Sequence, residues 1–327
     1  WEFLPFLTNR EPGEDEAGAG PGDGKPGDDK PADDRPGDQD GEPDPGDGRE
    51  AGEDKGKDKD EDSAGATPRP LRDGLVEEVA TELAWLLEQV AVLRAFHTVD
   101  RVVVIPEATI QLGRNEPGFP HHPQVERAVP AVVMDKYEVC VADWRAFLRF
   151  NRHFTTGPLE PHRPSVWDKP GAPLPDNEPV RGITWQDARA FARWAGKRLP
   201  REDEWELAAR GDTGRGPYAW GDALPDASRA AFLRDAPVAV DSLKEGASPY
   251  GCLHMTGNVA EWTASPFAPY VEGSNESESE FRGFLAEKVV RGGSCISEPL
   301  TLKVWIRGHL PEGQSSPYVG VRCAVDP

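Results

Sequence analysis

The chain has 327 residues, a formal charge of −21 and 29% charged residues, a length that suits one large domain or two ordinary ones. Its acidic balance argues against a protein that tracks nucleic-acid phosphates, which needs a basic stripe. It contains no apolar run of about 18 residues, so no membrane-spanning helix is expected.

The charge is concentrated at the start. Residues 1–70 hold 22 Asp and Glu against 9 Lys and Arg. Between about 10 and 70 the chain is built from Gly, Pro, Asp, Glu and Lys with almost no aliphatic residues. Such a segment cannot bury enough apolar surface to offset the entropy of ordering, and residues 1–73 are read as a disordered, extended acidic linker. The apolar stretch Trp1-Glu2-Phe3-Leu4-Pro5-Phe6-Leu7 precedes it. A start at Trp1 rather than Met leaves room for a removed leader or a tethering membrane or kinase segment upstream.

A helix is expected next, over 74–97. Val76, Val79, Leu83, Leu86, Val90 and Leu93 recur at spacings of three and four over about three heptads, with Glu77, Glu78, Glu82 and Glu88 on other faces. The stripe suits either a helix docked on the domain that follows or a homo-oligomeric coiled coil through 74–96.

From residue 98 to 327 the composition is globular and rich in tryptophan. Apolar runs at 102–105, 132–133, 289–290 and 303–306 read as strands. Helices are placed at 141–151, 184–195 and 202–210. The second opens on Thr184 with Asp187 three residues on, a capping-box pattern. The third has acids in its first turn and Arg210 in its last, matching the helix dipole. Long Pro/Gly loops separate these elements, and loops of that length usually carry function or unusual bracing. Cys140, Cys252, Cys295 and Cys323 lie far apart with no CxxC, which argues against a zinc knuckle.

Several short motifs follow one another along the chain. They are Val103-Val104-Ile105-Pro106 with Ile110-Gln111-Leu112-Gly113, then Met134-Asp135-Lys136-Tyr137-Glu138-Val139. Pro179-Val180-Arg181-Gly182-Ile183-Thr184-Trp185 follows, running through Gly196-Lys197-Arg198-Leu199-Pro200 to Glu204-Trp205-Glu206-Leu207-Ala208-Ala209-Arg210-Gly211. Last come Tyr218-Ala219-Trp220-Gly221, Gly257-Asn258-Val259-Ala260-Glu261-Trp262, Arg291-Gly292-Gly293-Ser294 and Gly320-Val321-Arg322-Cys323. Their order and spacing resemble the formylglycine-generating-enzyme (sulfatase-modifying factor) family from about 101 to 327. The resemblance implies an α+β, C-type-lectin-like fold, loop-rich with little regular structure.

The family's oxidase converts a protein cysteine to formylglycine, using oxygen and Cu(I) held by two thiolates, soft ligands that suit that ion. The resemblance puts the pair three and eight residues beyond the GGS serine. In this chain those positions are Ser297 and Leu302, and neither supplies a thiolate. Cys295 is the nearby thiol and the candidate catalytic residue; copper is not expected to bind. The iron-dependent sulfoxide-synthase branch is not matched either, because no HxxxH pair lies on a helix. The resemblance also implies a calcium site, held by oxygens of Asn258, Val259, Ala260 and Glu261.

These features lead to a non-copper, non-catalytic bacterial member that binds a peptide or protein partner in the former substrate cleft. Arg291, Ser294, Cys295, Trp305 and Arg307 are the expected cleft residues. The alternatives are a working metal-dependent oxidase with displaced ligands, and a structural oligomerisation module.

Overall fold

A computed structural model describes residues 73–151, 164, 166, 174–214, 216–270 and 287–327. The acidic linker lies outside the described residues. Helix α1 (Asp73–Ala95) leads into the strands β1 (Val102–Ile105), β2 (Ala108–Leu112), β3 (Val125–Val129) and β4 (Val132–Asp135). Helices α2 (Val141–Asn151), α3 (Trp185–Trp194) and α4 (Glu202–Arg210) follow. The C-terminal part carries β5 (Ala260–Pro266), β6 (Glu287–Arg291), β7 (Arg307–Pro311), β8 (Val319–Gly320) and β9 (Ala324–Val325).

The strands form three small sheets in the orders β1-β4-β9, β2-β3 and β7-β6-β5-β8. All pairs are antiparallel except β5 with β8. Small sheets, short helices and long loops make this a mixed α+β domain.

Two apolar clusters hold it together. The first lies between α2 and α3 and is aromatic. Three-residue steps put Trp144 and Phe147 on one face of α2, and Phe191 and Trp194 on the inner side of α3. Trp144 stacks on Phe191 at 5.2 Å between centroids, and Phe147 meets Phe191 edge-on at 5.5 Å. Rings in these arrangements gain about 1 kcal/mol beyond their buried area. The second cluster gathers Ile105, Ile110, Leu112, Val132 and Met134 from the first strands against Trp205 and Leu207 of α4.

Local chemistry sets the helix starts. Thr184 Oγ1 accepts the Asp187 N–H at 3.2 Å, and the Asp187 carboxylate accepts the Thr184 N–H at 2.9 Å, closing the capping box. At α4 the Glu204 carboxylate accepts the Arg201 N–H at 2.7 Å.

Helix α1 has two apolar faces. One docks on the domain: Phe96 is buried, Val92 and Leu93 pack on the aromatic cluster, Trp85 meets Phe150 at 5.8 Å and Glu88 pairs with Arg149 at 2.9 Å. Of the heptad stripe, Leu93 belongs to this docked face, and the described members before it lie on another. Val79, Leu83, Leu86 and Val90 are 58%, 55%, 45% and 44% exposed, and Leu87 beside them is 62% exposed. The side chain of Val76 lies outside the described residues.

One strand expectation is corrected. Residues 303–306 form a turn in which the Ile306 N–H donates to the Lys303 carbonyl at 2.9 Å, and the strand begins only at Arg307. The run is apolar because Val304 and Trp305 are buried in the second cluster. No helix among the described residues is long and apolar enough to cross a membrane.

Candidate functional site

The Gly-Gly-Ser turn follows directly on β6. Gly292 and Gly293 have φ of +92° and +69°, a region that side chains with a Cβ rarely adopt. A Cβ on Gly293 would also stand 2.8 Å from Leu302 Cδ2 and 3.2 Å from Ser297 Oγ. The turn thus packs against both positions where the family resemblance places thiolates. Ser297 Oγ accepts the Ser294 N–H at 2.9 Å, and Leu302 is fully buried. Ser297 acts as a cap for the turn, and Leu302 as part of its apolar backing.

Cys295 is buried with no exposed surface, and its backbone is fixed on both sides. Its N–H donates to the Asn258 carbonyl at 2.7 Å and its carbonyl accepts the Arg234 N–H at 2.7 Å. Burial pushes its thiol up to about 11 against the modest pull of Arg181 and Arg234. All four thiols are free. Burial likewise raises Cys140 and Cys252 to about 11, and Cys323 well above the ordinary range. A thiol held protonated is a poor nucleophile and a poor ligand for a soft metal.

Arg291 and Arg307, expected in the cleft, are buried in an ionic cluster. Glu202 of α4 accepts from Arg291 Nη1 at 2.6 Å, from Arg307 Nε and Nη2 at 2.7 Å each, and from the Tyr270 hydroxyl at 2.9 Å. One turn on, Glu206 accepts from Arg291 Nη2 at 2.5 Å, from Arg210 Nη1 at 2.7 Å and from the Gly113 N–H at 2.9 Å. Burial works against the Glu202 carboxylate, yet Arg307 and Arg291 outweigh it and hold its pKa below the usual range. Burial also raises Tyr270 far up, which keeps its hydroxyl a donor.

Arg291 reaches the Val304 carbonyl at 2.6 Å, which ties the ionic cluster to the turn that carries Trp305. Trp305 is 6% exposed, and Arg114 and Lys303 lie 5.1 Å and 5.7 Å from its ring centroid. Of the five expected cleft residues, none is more than 6% exposed. Sequence reasoning assigned Arg210 and the first-turn acids of α4 to the helix dipole and did not place Glu202, Glu206, Arg210 or Tyr270 in a buried ionic cluster. The four-residue steps from Glu202 to Arg210 were the available signal, since they align three charges on one helix face.

The segment implied to hold calcium is folded on itself. Asn258, at φ +63° and fully buried, accepts the Val238 N–H on Oδ1 at 2.8 Å and donates from Nδ2 to Glu138 at 2.5 Å. Val259 donates its N–H to Glu138 at 3.2 Å, and the Ala260 N–H donates to the Tyr318 carbonyl at 2.9 Å. Both Glu261 oxygens accept from Arg322, at 2.7 and 2.6 Å, and Oε2 also accepts the Trp205 indole N–H at 2.7 Å. A guanidinium and an indole N–H fill the coordination sphere that a hard dication needs from free oxygens. The side-chain oxygens of Asn258 and Glu261 are therefore engaged by protein donors and not left open for calcium in this arrangement. Glu138 beside it is pushed well up by burial and by the neighbouring Glu261. Among the described residues no cluster of three His, Cys, Asp or Glu side chains is placed to hold a metal.

Comparison with known proteins agrees with the fold and the motif order. Residues 89–327 match the sulfatase-modifying factor enzyme 1-like domain. A protein of Mycolicibacterium smegmatis named hercynine oxygenase is 31% identical over 68% of this chain and 61% of its own length. The formylglycine-generating enzyme of Streptomyces coelicolor is 34% identical over 50% of this chain and 59% of its own. The chain thus spans about three fifths of these relatives. Among solved structures, PvdO from Pseudomonas aeruginosa superimposes with a TM-score of 0.54 at 21% identity, covering 68% of this chain and 93% of that one. Treponema denticola variable protein 1 gives 0.55 at 20% identity, over 69% and 95%. At that identity both likenesses speak for the fold alone. On its ordered motifs, its fold and the match over residues 89–327, the chain belongs to the family of sulfatase-modifying factor enzyme 1-like domains.

Proposed function

We propose that this member is a recognition domain that binds a peptide or protein partner over the Gly-Gly-Ser turn, without copper chemistry. The observation that carries the reading is the fate of the two thiolate positions. Ser297 is a backbone cap and Leu302 is fully buried. The remaining nearby thiol, Cys295, is raised to about 11. A two-coordinate soft site needs two thiolates facing each other, and these positions offer none. Arg291, Ser294, Cys295, Trp305 and Arg307 then serve as the rigid support of the binding surface.

Oxygen uptake by the full chain with Cu(I) and a reduced cysteine-containing peptide is expected to stay at the protein-free rate. Sustained uptake that disappears in Cys295→Ser contradicts the proposal and favours a rearranged oxidase.

A second reading concerns α1. Its uncovered Val79, Leu83, Leu86 and Val90 follow heptad spacing, which favours pairing with a second copy of the chain. The mass in solution is expected to fall to that of one chain in Leu83→Glu/Leu86→Glu. Unchanged mass in the variant removes this reading.

A further inference from the structure

The outward face of α3 carries a feature that the Gly-Gly-Ser turn does not use. Trp185, Arg189 and Arg193 follow at four-residue steps, so they lie on one side of the helix, one turn apart. Opposite them the chain entering α4 supplies Arg198, Leu199 and Arg201, and β5 supplies Ala264. Together these residues line an open pocket of ≈ 310 Å³.

The four arginines are not equivalent. Arg198 is committed to Glu204 at 2.7 and 2.8 Å and to Asp326 at 2.6 Å. Arg201 is held by Asp203 at 3.2 Å and Glu204 at 3.1 Å. Arg189 and Arg193 are exposed and have no carboxylate partner among the described residues. Arg189 instead lies 5.4 Å from the centroid of the Trp185 ring. Lys288 lies 4.5 Å from the same ring, and its own nearest carboxylate, Glu312, is 3.9 Å away. The indole is fixed by its N–H, which donates to the Thr263 carbonyl at 2.8 Å.

The result is a rigid aromatic and aliphatic floor with two uncommitted guanidinium groups at its rim, in a chain of net charge −21. The helix dipole gives a reason for Arg193, in the last turn of α3, but none for Arg189 in its middle. A cation that serves only solubility gains nothing from standing over a pocket.

We propose that this face docks an acidic peptide segment of a partner, with one apolar or aromatic side chain over Trp185, Leu199 and Ala264 and flanking carboxylates on Arg189 and Arg193. Guanidinium groups pair bidentately with carboxylates, and two of them one helical turn apart match acids two residues apart on one face of an extended strand. A compact phosphate is served less well. Phosphate sites usually use a cradle of backbone N–H groups, and the N-terminus of α3 is already closed by its own capping box. This site is separate from the surface over the Gly-Gly-Ser turn and does not rest on the reading given for that turn.

The test is fluorescence anisotropy of the full chain with a labelled Asp-Glu-Phe-Glu-Asp peptide, at low salt and at about 0.5 M salt. Arg189→Ala/Arg193→Ala is expected to weaken binding at least about tenfold. Arg189→Lys/Arg193→Lys, which keeps charge but loses the fork, is expected to fall between the two. Arg94→Ala, an exposed arginine on α1, is the control and is expected to bind like the original chain. Circular dichroism confirms folding of each variant. Binding that survives Arg189→Ala/Arg193→Ala overturns the proposal. So does equal binding of Asn-Gln-Phe-Gln-Asn, or displacement by inorganic phosphate as effective as by unlabelled peptide, which would mark a small-anion site.

Discussion

Helices α3 and α4 are neighbours in sequence and similar in length, yet they treat charge in opposite ways. α3 buries one charged residue, Asp187 of its own capping box; otherwise Ala188, Phe191 and Ala192 face the aromatic cluster, and Arg189 and Arg193 face solvent. α4 has no solvent face. All nine of its residues are buried, including Glu202, Asp203, Glu204, Glu206 and Arg210. An apolar contact tolerates changes of shape within limits, because it is not directional. A buried carboxylate does not tolerate loss of its partner, because the desolvation penalty then stands uncompensated. The contrast predicts that conservative substitutions are mild around α3 and severe around α4.

The largest effect is expected at Arg291, which joins Glu202 to Glu206. Arg291→Met keeps much of the side-chain bulk but leaves two buried carboxylates short of donors. It should cost about 3–5 kcal/mol in urea unfolding. A loss below about 1 kcal/mol would mean that the cluster is dispensable and the contrast fails.

The next effect depends on pH. His254 is buried, and burial together with Arg322 pulls its pKa from 6.5 down to about 4. The folded state therefore favours the neutral ring, and the unfolded chain binds more protons between pH 6.5 and about 4. Stability is fully present above pH 6.5 and is lost as pH falls through that window, by about 3 kcal/mol from this group. In His254→Asn, chosen because Asn tolerates the φ of +56°, the fall between pH 7 and 4 should shrink by about that amount. Parallel pH profiles for the two chains would refute the assignment.

The smallest effect belongs to the aromatic side. Phe191→Leu keeps an apolar side chain among Trp144, Phe147 and Trp194 but loses the ring pairs, and should cost about 2 kcal/mol. A loss equal to that of Arg291→Met would erase the difference between the two helices.

Much of this architecture could be read from the sequence where the signal is local. The capping box at Thr184 and Asp187 and the extents of α2 and α4 depend on side chains within one or two turns. The α+β class was implied by the family resemblance, and the short apolar runs between long loops agree with it. The roles of the charged residues were not legible in the same way. Acids in the first turn of α4 suit the helix dipole, and nothing nearby reveals that Glu202 meets Arg291 and Arg307, 89 and 105 residues later. The run 303–306 misled because a buried turn and a buried strand share an apolar composition. At Asn258 and Glu261 the residue types matched a cation site, but their oxygens accept from Val238, Arg322 and Trp205. Only the tertiary arrangement distinguishes those two uses of the same side chains.

The most direct test of the central claim is anaerobic titration of the full chain with Cu(I) against a competing chelator, beside Cys295→Ser. The account predicts no stoichiometric high-affinity site and identical curves for both chains. Tight one-to-one binding that disappears in Cys295→Ser would contradict it, and would make the buried Cys295 thiol the anchor of a copper centre.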